Sequence, residues 1–119
     1  MTCKTINGVR VATADGQGLH MEADALALIS KALEQKADWL VVPVKDIAQD
    51  FFRLKTGLAG AVCQKFVTYR IGLAIMGDVS VHEGHSNPFR RFIDESNDGT
   101  HVWFVKDMEE LKERLGAGR

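Results

Sequence analysis

The sequence predicts a single α/β domain with a mixed, mainly parallel sheet and an N-terminal β-hairpin, in the order ββαβαβαβα. Its 119 residues, 45% hydrophobic and 26% charged, suit one ordinary globular domain. Asn7-Gly8 stands between two short strand-like runs, 2–6 and 9–13, which is typical of a tight hairpin turn. Three later apolar runs alternate with segments of helical periodicity, which indicates parallel strands joined by right-handed crossovers.

After the hairpin, the first half of the chain predicts one loop, one helix and one buried strand. Gly and Asp residues over 14–18 indicate a loop. The spacing then predicts a helix over 22–36 with apolar residues on one face. That face consists of Ala25, Leu26, Leu28, Ile29 and Leu33. The run 39–42 predicts a strand buried on both sides, after which Pro43 cannot donate to a ladder.

The middle of the chain is more ambiguous. Residues 45–55 are too apolar for a free loop, so we expect a short packed turn or helix there. Within it, Phe51-Phe52 has two interpretations, core packing under a loop or an interface anchor. A helix over 57–70 and a buried strand over 71–76 should follow. The stripe of that helix consists of Leu58, Val62, Phe66 and Tyr69.

The last third predicts two helices around a final strand. A polar loop over 79–87 leads to Pro88, which suits the first turn of a helix. Phe89, Phe92 and Ile93 of this helix should point inward, and Gly99 should close it in the left-handed conformation. A strand over 101–105 follows. The last helix should begin with a capping box of Asp107 and Glu110 and end at Gly116.

Composition narrows the classes of partner. Fifteen basic and sixteen acidic residues leave a net charge of -1, which argues against a general nucleic-acid binder. Charges are mixed and no apolar run approaches ~18 residues, so we expect no membrane partner. Residues 1–5 lack the apolar core of a signal peptide, and Cys3 and Cys63 are far apart and outside any CxxC pair. We therefore expect a cytoplasmic protein whose Cys63 is a buried, inert thiol.

Several motifs resemble those of a bacterial family known only as a domain of unknown function. They are the stretch 50–60, which reads DFFRLKTGLAG, then Gln64-Lys65-Phe66, Gly77-Asp78 and the stretch 92–97, which reads FIDESN. The resemblance spans about residues 20–115. It implies membership of a family without implying an activity.

The element order is also similar to that of STAS domains, the fold of anti-sigma-factor antagonists and SpoIIAA-like proteins. In the antagonists a serine at the start of a helix is phosphorylated after an Asp-Ser-Ser-Gly-Leu segment. Here the strand over 39–42 leads to Lys55-Thr56-Gly57-Leu58, so this resemblance implies Thr56 as a phosphorylation site. Leu54 and Lys55 stand where the antagonists have Asp and Ser.

The expected ligand site lies beyond the carboxyl ends of the parallel strands, where helix N-termini also point. The residues expected there are Lys45, Lys55, Thr56, Gly57, Gly77, Asp78 and Ser80. Lysines, hydroxyls and main-chain amides suit a phosphate or a carboxylate. The alternative is that Thr56 and Asp107 are helix caps and Gly77-Asp78 is a turn.

Other polar clusters predict no cofactor and no metal. His82 and His85 are three apart in a predicted loop, whereas a zinc site needs three or four ligands. Asp94, Ser96 and His101 include the residue types of a triad, but no nucleophile elbow surrounds the serine. We expect Glu95-Ser96-Asn97 to be structural, because this segment ends a helix at the opposite rim.

Three hypotheses about function remain open. The first is a non-enzymatic regulatory or binding module that recognises a partner protein or a small anion. The alternative is an enzyme acting on a small phosphorylated or carboxylated metabolite, with Asp78 as acid or base and Lys45 or Lys55 as anion clamp. The third is a self-associating unit, a homodimer for which an apolar patch around Phe51 and Phe52 would be the interface.

Overall fold

A computed structural model describes residues 1–14, 16–79 and 87–117, which form a five-stranded sheet and four helices. The strands are β1 (Thr2–Ile6), β2 (Val9–Thr13), β3 (Trp39–Pro43), β4 (Gly72–Met76) and β5 (Val102–Val105). The helices are α1 (Glu22–Glu34), α2 (Leu58–Thr68), α3 (Asn87–Asp98) and α4 (Met108–Ala117). Three short 3₁₀ turns connect β3 to α2, at Val44–Asp46, Gln49–Phe52 and Leu54–Thr56.

The strands lie side by side in chain order, from β1 to β5. β1 and β2 are antiparallel, and the remaining neighbours are parallel. The predicted mixed α/β architecture is therefore confirmed, as is the N-terminal hairpin. Asn7 and Gly8 both have positive φ, 52° and 81°, which is the geometry that a two-residue hairpin turn requires.

The two faces of the sheet carry separate apolar clusters. Helices α1, α2 and α3 pack on one face, over alternate strand residues that include Ala12, Leu40 and Leu73. Helix α4 packs on the other face through Leu111 and Leu115. Because successive strand residues point to opposite sides, the three continuous apolar runs supply both clusters at once.

The segment between β3 and α2 belongs to the first cluster. Phe51 is fully buried and Phe52 is 5% exposed. The Phe52 ring meets the ring of Phe89 on α3 edge to face, with 5.6 Å between centroids, and Phe89 in turn meets Phe104 on β5 at 6.1 Å. The expectation of a packed turn is confirmed. The interpretation of Phe51-Phe52 as an interface anchor, or as an apolar patch for self-association, is wrong because both side chains are buried.

Helix α1 buries only part of the predicted face, since Ala25, Leu28 and Ile29 are buried as expected and two of the predicted leucines are not. Its buried residues are Ala25, Leu28, Ile29 and Ala32. Leu26 and Leu33 are 42% and 49% exposed, and Tyr69 after α2 is 47% exposed. Ala25, Leu28, Ile29 and Ala32 belong to the first cluster, while Leu26 and Leu33 are left on the solvent side. The prediction that Leu26, Leu33 and Tyr69 belong to buried stripes is therefore wrong.

Helix ends also differ from expectation. α1 and α2 end before Lys36 and Arg70, which take the left-handed conformation with φ of 56° and 57°. Gly99 has no positive φ, and its N–H donates to the Ser96 carbonyl oxygen at 3.1 Å, so the predicted left-handed closure there is wrong. α4 runs through Gly116 rather than stopping at it.

The capping box predicted for α4 forms in a shifted version. The Asp107 carboxylate accepts the Glu110 main-chain N–H at 3.0 Å. The Glu110 carboxylate accepts the N–H of Lys106, one residue before the expected partner, at 2.9 Å. This reciprocal pair satisfies two donors at the start of α4. Within the described part of the chain, no helix has the length and apolar character needed to cross a membrane.

Candidate functional site

The turns after β3 and β4 enclose an open cavity of about 380 Å³. It is lined by Pro43, Val44, Lys45, Met76, Gly77 and Asp78. Pro43 and Met76 are the last register pair of the two parallel strands. Beyond this pair the chains separate, toward a 3₁₀ turn on one side and toward the 77–79 segment on the other. The cavity therefore occupies the carboxyl edge of the sheet, where a ligand site was expected.

Gly77 shapes one wall of this cavity. Its φ is 138°, a conformation that side chains rarely adopt, and a Cβ there would lie 3.0 Å from Val44 Cγ2. The Gly77 N–H donates to the Val105 carbonyl oxygen at 2.9 Å, which ties the turn to β5. Glycine thus lets the main chain lie close to Val44 while it stays anchored to the sheet.

The cavity combines apolar walls with two charged residues. Pro43, Val44 and Met76 are half-buried, whereas Lys45 and Asp78 are exposed. Lys45 lies in the turn that the Ile47 N–H closes by donating to the Val44 carbonyl oxygen at 3.0 Å. Lys45 places a positive charge beside this apolar wall and Asp78 a negative one, so the lining offers a partner for an anionic group at Lys45 and for carbon atoms at Val44 and Met76.

Lys55, Thr56 and Gly57 do not line this cavity; they lie in the last 3₁₀ turn and at the start of α2. The Thr56 hydroxyl lies 2.7 Å from the Asp50 carbonyl oxygen and 2.9 Å from that of Arg53. It also accepts the Leu58 N–H at 3.2 Å. Gly57 has a φ of 76°, which redirects the chain into the helix. The N-cap of α2 is Gly57 and has no side-chain cap bond, so the Thr56 hydroxyl holds the turn that precedes the helix, and the alternative that Thr56 is the helix cap is wrong.

Three of the residues singled out in sequence lie where the structure gives no description. Ser80, expected at the ligand site, and the His82–His85 pair fall within residues 80–86, outside the described residues. Among the residues that are described, no three His, Cys, Asp or Glu side chains are grouped so that they could hold a metal ion. The described part of the candidate site therefore comprises Lys45, Gly77 and Asp78, with Thr56 farther along the chain.

The loop before α1 is hydrogen-bonded to the segment around the cavity-lining turn, a contact that sequence reasoning missed. The Leu19 N–H donates to the Asp46 carbonyl oxygen at 2.9 Å, and the Ala48 N–H donates to the Leu19 carbonyl oxygen at the same distance. A Cβ on Gly18 would lie only 2.7 Å from the Asp46 oxygen. Gly18 was the available signal, because a glycine in a loop often marks close main-chain contact.

Two buried acceptors accompany this contact. Gln17 Oε1 and Asp46 Oδ2 are shielded from solvent, and no hydrogen-bond partner for either is found among residues 1–14, 16–79 and 87–117. Buried oxygens of this kind usually bind an ordered water. Asp46 belongs to the same 3₁₀ turn as Lys45, whereas Gln17 lies in the loop before α1.

The Glu95-Ser96-Asn97 segment serves the scaffold at β5. The Asn97 side-chain oxygen accepts the N–H of Phe104 at 2.7 Å. The Asn97 carbonyl oxygen accepts a hydrogen bond from the guanidinium group of Arg114, whose carbon lies 4.5 Å from the Trp103 ring centroid. The expected structural role is confirmed for Asn97, which joins α3, β5 and α4 rather than ending a helix with Gly99.

Cys63 has the character expected of an inert thiol. Both cysteines are free, and burial raises the pKa of the Cys63 thiol to about 12. The thiol is therefore protonated at neutral pH, and the thiolate that would act as a nucleophile is scarce.

The residues of the sequence motifs thus lie in three places: Gly77 and Asp78 line the cavity, Thr56 lies in the turn before α2, and Asn97 contacts β5. The family described as a domain of unknown function (DUF4180) matches residues 6–115. The chain belongs to this family. The match confirms the family resemblance and extends it to the hairpin of this DUF4180 domain. No curated protein and no solved structure matches the chain, so the likeness to STAS domains stays a prediction from element order.

Proposed function

We propose that this DUF4180 domain is a non-enzymatic binding module that takes a small organic anion, a carboxylate or a phosphate monoester, at the carboxyl edge of β3 and β4. The observation that carries the proposal is the cavity of about 380 Å³ that Lys45, Gly77 and Asp78 help to line. Lys45 supplies the positive charge. Val44, Pro43 and Met76 supply an apolar wall for the carbon body.

Binding suits this geometry better than catalysis. An acid or base is usually tuned by removing it from water, and Asp78 is an exposed residue at an open cavity. Cys63 is mostly protonated because burial raises its pKa to about 12. The lining of the cavity thus offers one positive charge, that of Lys45, and a single carboxylate, that of Asp78, which is exposed to water. Two free cysteines also support a reducing cytoplasm as the location of this module.

The test is anion binding with and without the Lys45 charge. Inorganic phosphate, a four-carbon dicarboxylate and a sugar phosphate are titrated into the full chain by calorimetry. We expect at least one to bind, and Lys45→Met to weaken that binding about tenfold, since a charge-assisted bond contributes roughly 1.5 kcal/mol or more. The matched control is Lys55→Met, an exposed lysine outside the cavity, which should leave affinity unchanged.

Two results would overturn the proposal. One is the absence of binding by all three anions at millimolar concentration. The other is an equal loss of affinity in Lys45→Met and Lys55→Met, which would indicate a diffuse response to net charge rather than a site. Thermal unfolding of both variants provides the check that each is folded.

A further inference from the structure

The charged and the apolar residues of the cavity at the carboxyl edge of β3 and β4 differ in exposure. Lys45 and Asp78 are exposed, whereas Pro43, Val44 and Met76 are half-buried. The two charges are thus at the solvent-facing end of the cavity, and the apolar side chains lie deeper. A ligand that fills this cavity should therefore carry its charged groups at one end and a carbon body at the other.

The two charged residues also come from opposite walls. Pro43 and Met76 are the last register pair of β3 and β4, and neighbouring strands are about 4.8 Å apart at such a pair. Lys45 and Asp78 each follow by two residues, one on the β3 side and one on the β4 side. Because the chains separate beyond the pair, the positive and the negative residue lie at equivalent positions on the two sides of one opening.

A simple anion would find only one of these two charges favourable. It would be attracted to Lys45 and repelled by Asp78, because both residues line the same opening. A ligand that also carries an ammonium group would turn the second interaction into an attraction. In the part of the chain that the structure describes, Lys45 forms no ion pair, so its ammonium group can contact an anionic group of a ligand.

We propose that the ligand of this cavity is an α-amino acid with an apolar side chain. This inference rests on the proposed function and narrows its carboxylate class. The carboxylate of the amino acid contacts Lys45, its ammonium group contacts Asp78, and its side chain lies against Val44 and Met76. In an α-amino acid both charged groups are attached to one carbon atom, so they lie at the same end of the molecule, as the two charges of the cavity do.

The size and the walls of the cavity suit such a ligand. Its volume of about 380 Å³ lies at the lower end of the roughly 300–1,000 Å³ that is typical of small-molecule sites. Met76 is unbranched and flexible, so its side chain can adjust to both branched and straight ligand side chains. We therefore expect selection at the charged end of the ligand and little discrimination among leucine, valine and methionine.

The first test compares ligands on the unaltered full chain by calorimetry. Leucine carries both charges, and 4-methylpentanoate is the same molecule without the ammonium group. We expect leucine to bind about tenfold more tightly, because only leucine gains the charge-assisted contact with Asp78. In 6-aminohexanoate the two charges lie at opposite ends of the chain, so it should bind no more tightly than 4-methylpentanoate.

The second test removes one charge of the site at a time. Asp78→Asn should weaken leucine binding about tenfold and leave 4-methylpentanoate binding equal or tighter, whereas Lys45→Met should weaken the binding of both. The matched control is Asp94→Asn, which removes the same charge from an exposed position on α3, outside the lining of the cavity. Thermal unfolding reports whether each variant is folded.

The outcomes separate this inference from the proposed function. Lys45-dependent binding in which 4-methylpentanoate equals leucine overturns the amino-acid assignment and leaves the anion site in place. The same holds if Asp78→Asn lowers leucine affinity no more than Asp94→Asn does, or if phosphate or a sugar phosphate binds and leucine does not. If leucine, 4-methylpentanoate and the three anions all fail to bind at millimolar concentration, the proposed function is overturned together with this inference.

Discussion

Single residues shape the cavity at the carboxyl edge of the sheet. Gly77 has no side chain to fill the space beside Val44, and its N–H is held by Val105. Lys45 follows directly in the turn after β3. These residues could be predicted, because the strand ends were visible in the sequence and parallel strands share one carboxyl edge. The burial of the Gln17 and Asp46 side-chain oxygens could not be predicted. It depends on three-dimensional packing, in which the hydrogen bonds of Leu19 join the two segments.

Thr56 is the residue whose role is most directly testable. Thr56→Val removes the hydroxyl at nearly constant volume, so Leu58 loses its acceptor and the Asp50 carbonyl loses its donor. We expect a loss of about 1 kcal/mol in the free energy of unfolding, measured in urea, and anion affinity equal to wild type. Thr56→Ser keeps the hydroxyl and should retain most of the stability.

A phosphate on Thr56 would act through these same contacts. It would bring negative charge against the Asp50 and Arg53 carbonyl oxygens, so the turn before α2 would have to open. If Thr56 is phosphorylated as predicted, opening of this turn would be the structural change that the phosphate causes. The interpretation that the Thr56 hydroxyl only stabilises this turn would be contradicted if Thr56→Val weakened anion binding while urea unfolding stayed unchanged.

At the scale of elements, the sequence predicts a helix more securely than the face that it buries. α1 carries apolar residues around most of its circumference, with Leu28 and Ile29 on one side and Leu26 and Leu33 on another. Periodicity alone cannot choose between these faces, since both satisfy helical spacing. Contact with the sheet and with α2 decides which face is buried, and Leu26 and Leu33 are left exposed. The error in the predicted core therefore concerns which apolar face of α1 is buried, and not whether the helix forms.

The outer edge of β5 depends on one side chain. An edge strand leaves outward N–H groups free to pair with another strand, and Asn97 occupies the outward N–H of Phe104 at 2.7 Å. We expect Asn97→Ala to lower the free energy of unfolding by roughly 1–3 kcal/mol, because that N–H is left without its partner. Chemical unfolding measures the loss.

A matched variant separates this bond from helix effects. Asp98→Ala changes the neighbouring exposed residue of α3 and should shift stability by less than about 0.5 kcal/mol. If both variants lost the same stability, the bond to Phe104 would not be the cause. Increased aggregation of Asn97→Ala alone would support protection of the edge.

The whole molecule is organised around one sheet shared by two clusters. The fold class could be predicted because the hairpin and the buried strands each have a local signal, at Asn7-Gly8 and in three apolar runs. The distribution of helices over the faces was not predicted. It follows from contacts such as that of Trp39 and Trp103, whose rings stack at 4.1 Å on the α4 side. Gly72 makes room for them, since a Cβ there would overlap the Trp39 ring.

This arrangement predicts a single cooperative unfolding transition. The tryptophan pair belongs to the α4 side, whereas most of the helical signal comes from α1, α2 and α3 on the other. Because every central strand contributes residues to both clusters, neither side can lose its packing while the other keeps it. Near-ultraviolet and far-ultraviolet circular dichroism should therefore give the same urea midpoint.

Truncating one side chain on each face sharpens this prediction. Leu111→Ala on the α4 side and Phe66→Ala on the opposite side each remove a fully buried side chain. Each should destabilise the domain by roughly 2–5 kcal/mol and should shift both circular dichroism signals together. If Leu111→Ala shifted only the near-ultraviolet transition, α4 and the tryptophan pair would form a separate unit. The two circular dichroism signals share one midpoint only if loss of packing on one face of the sheet also disrupts the packing on the other face.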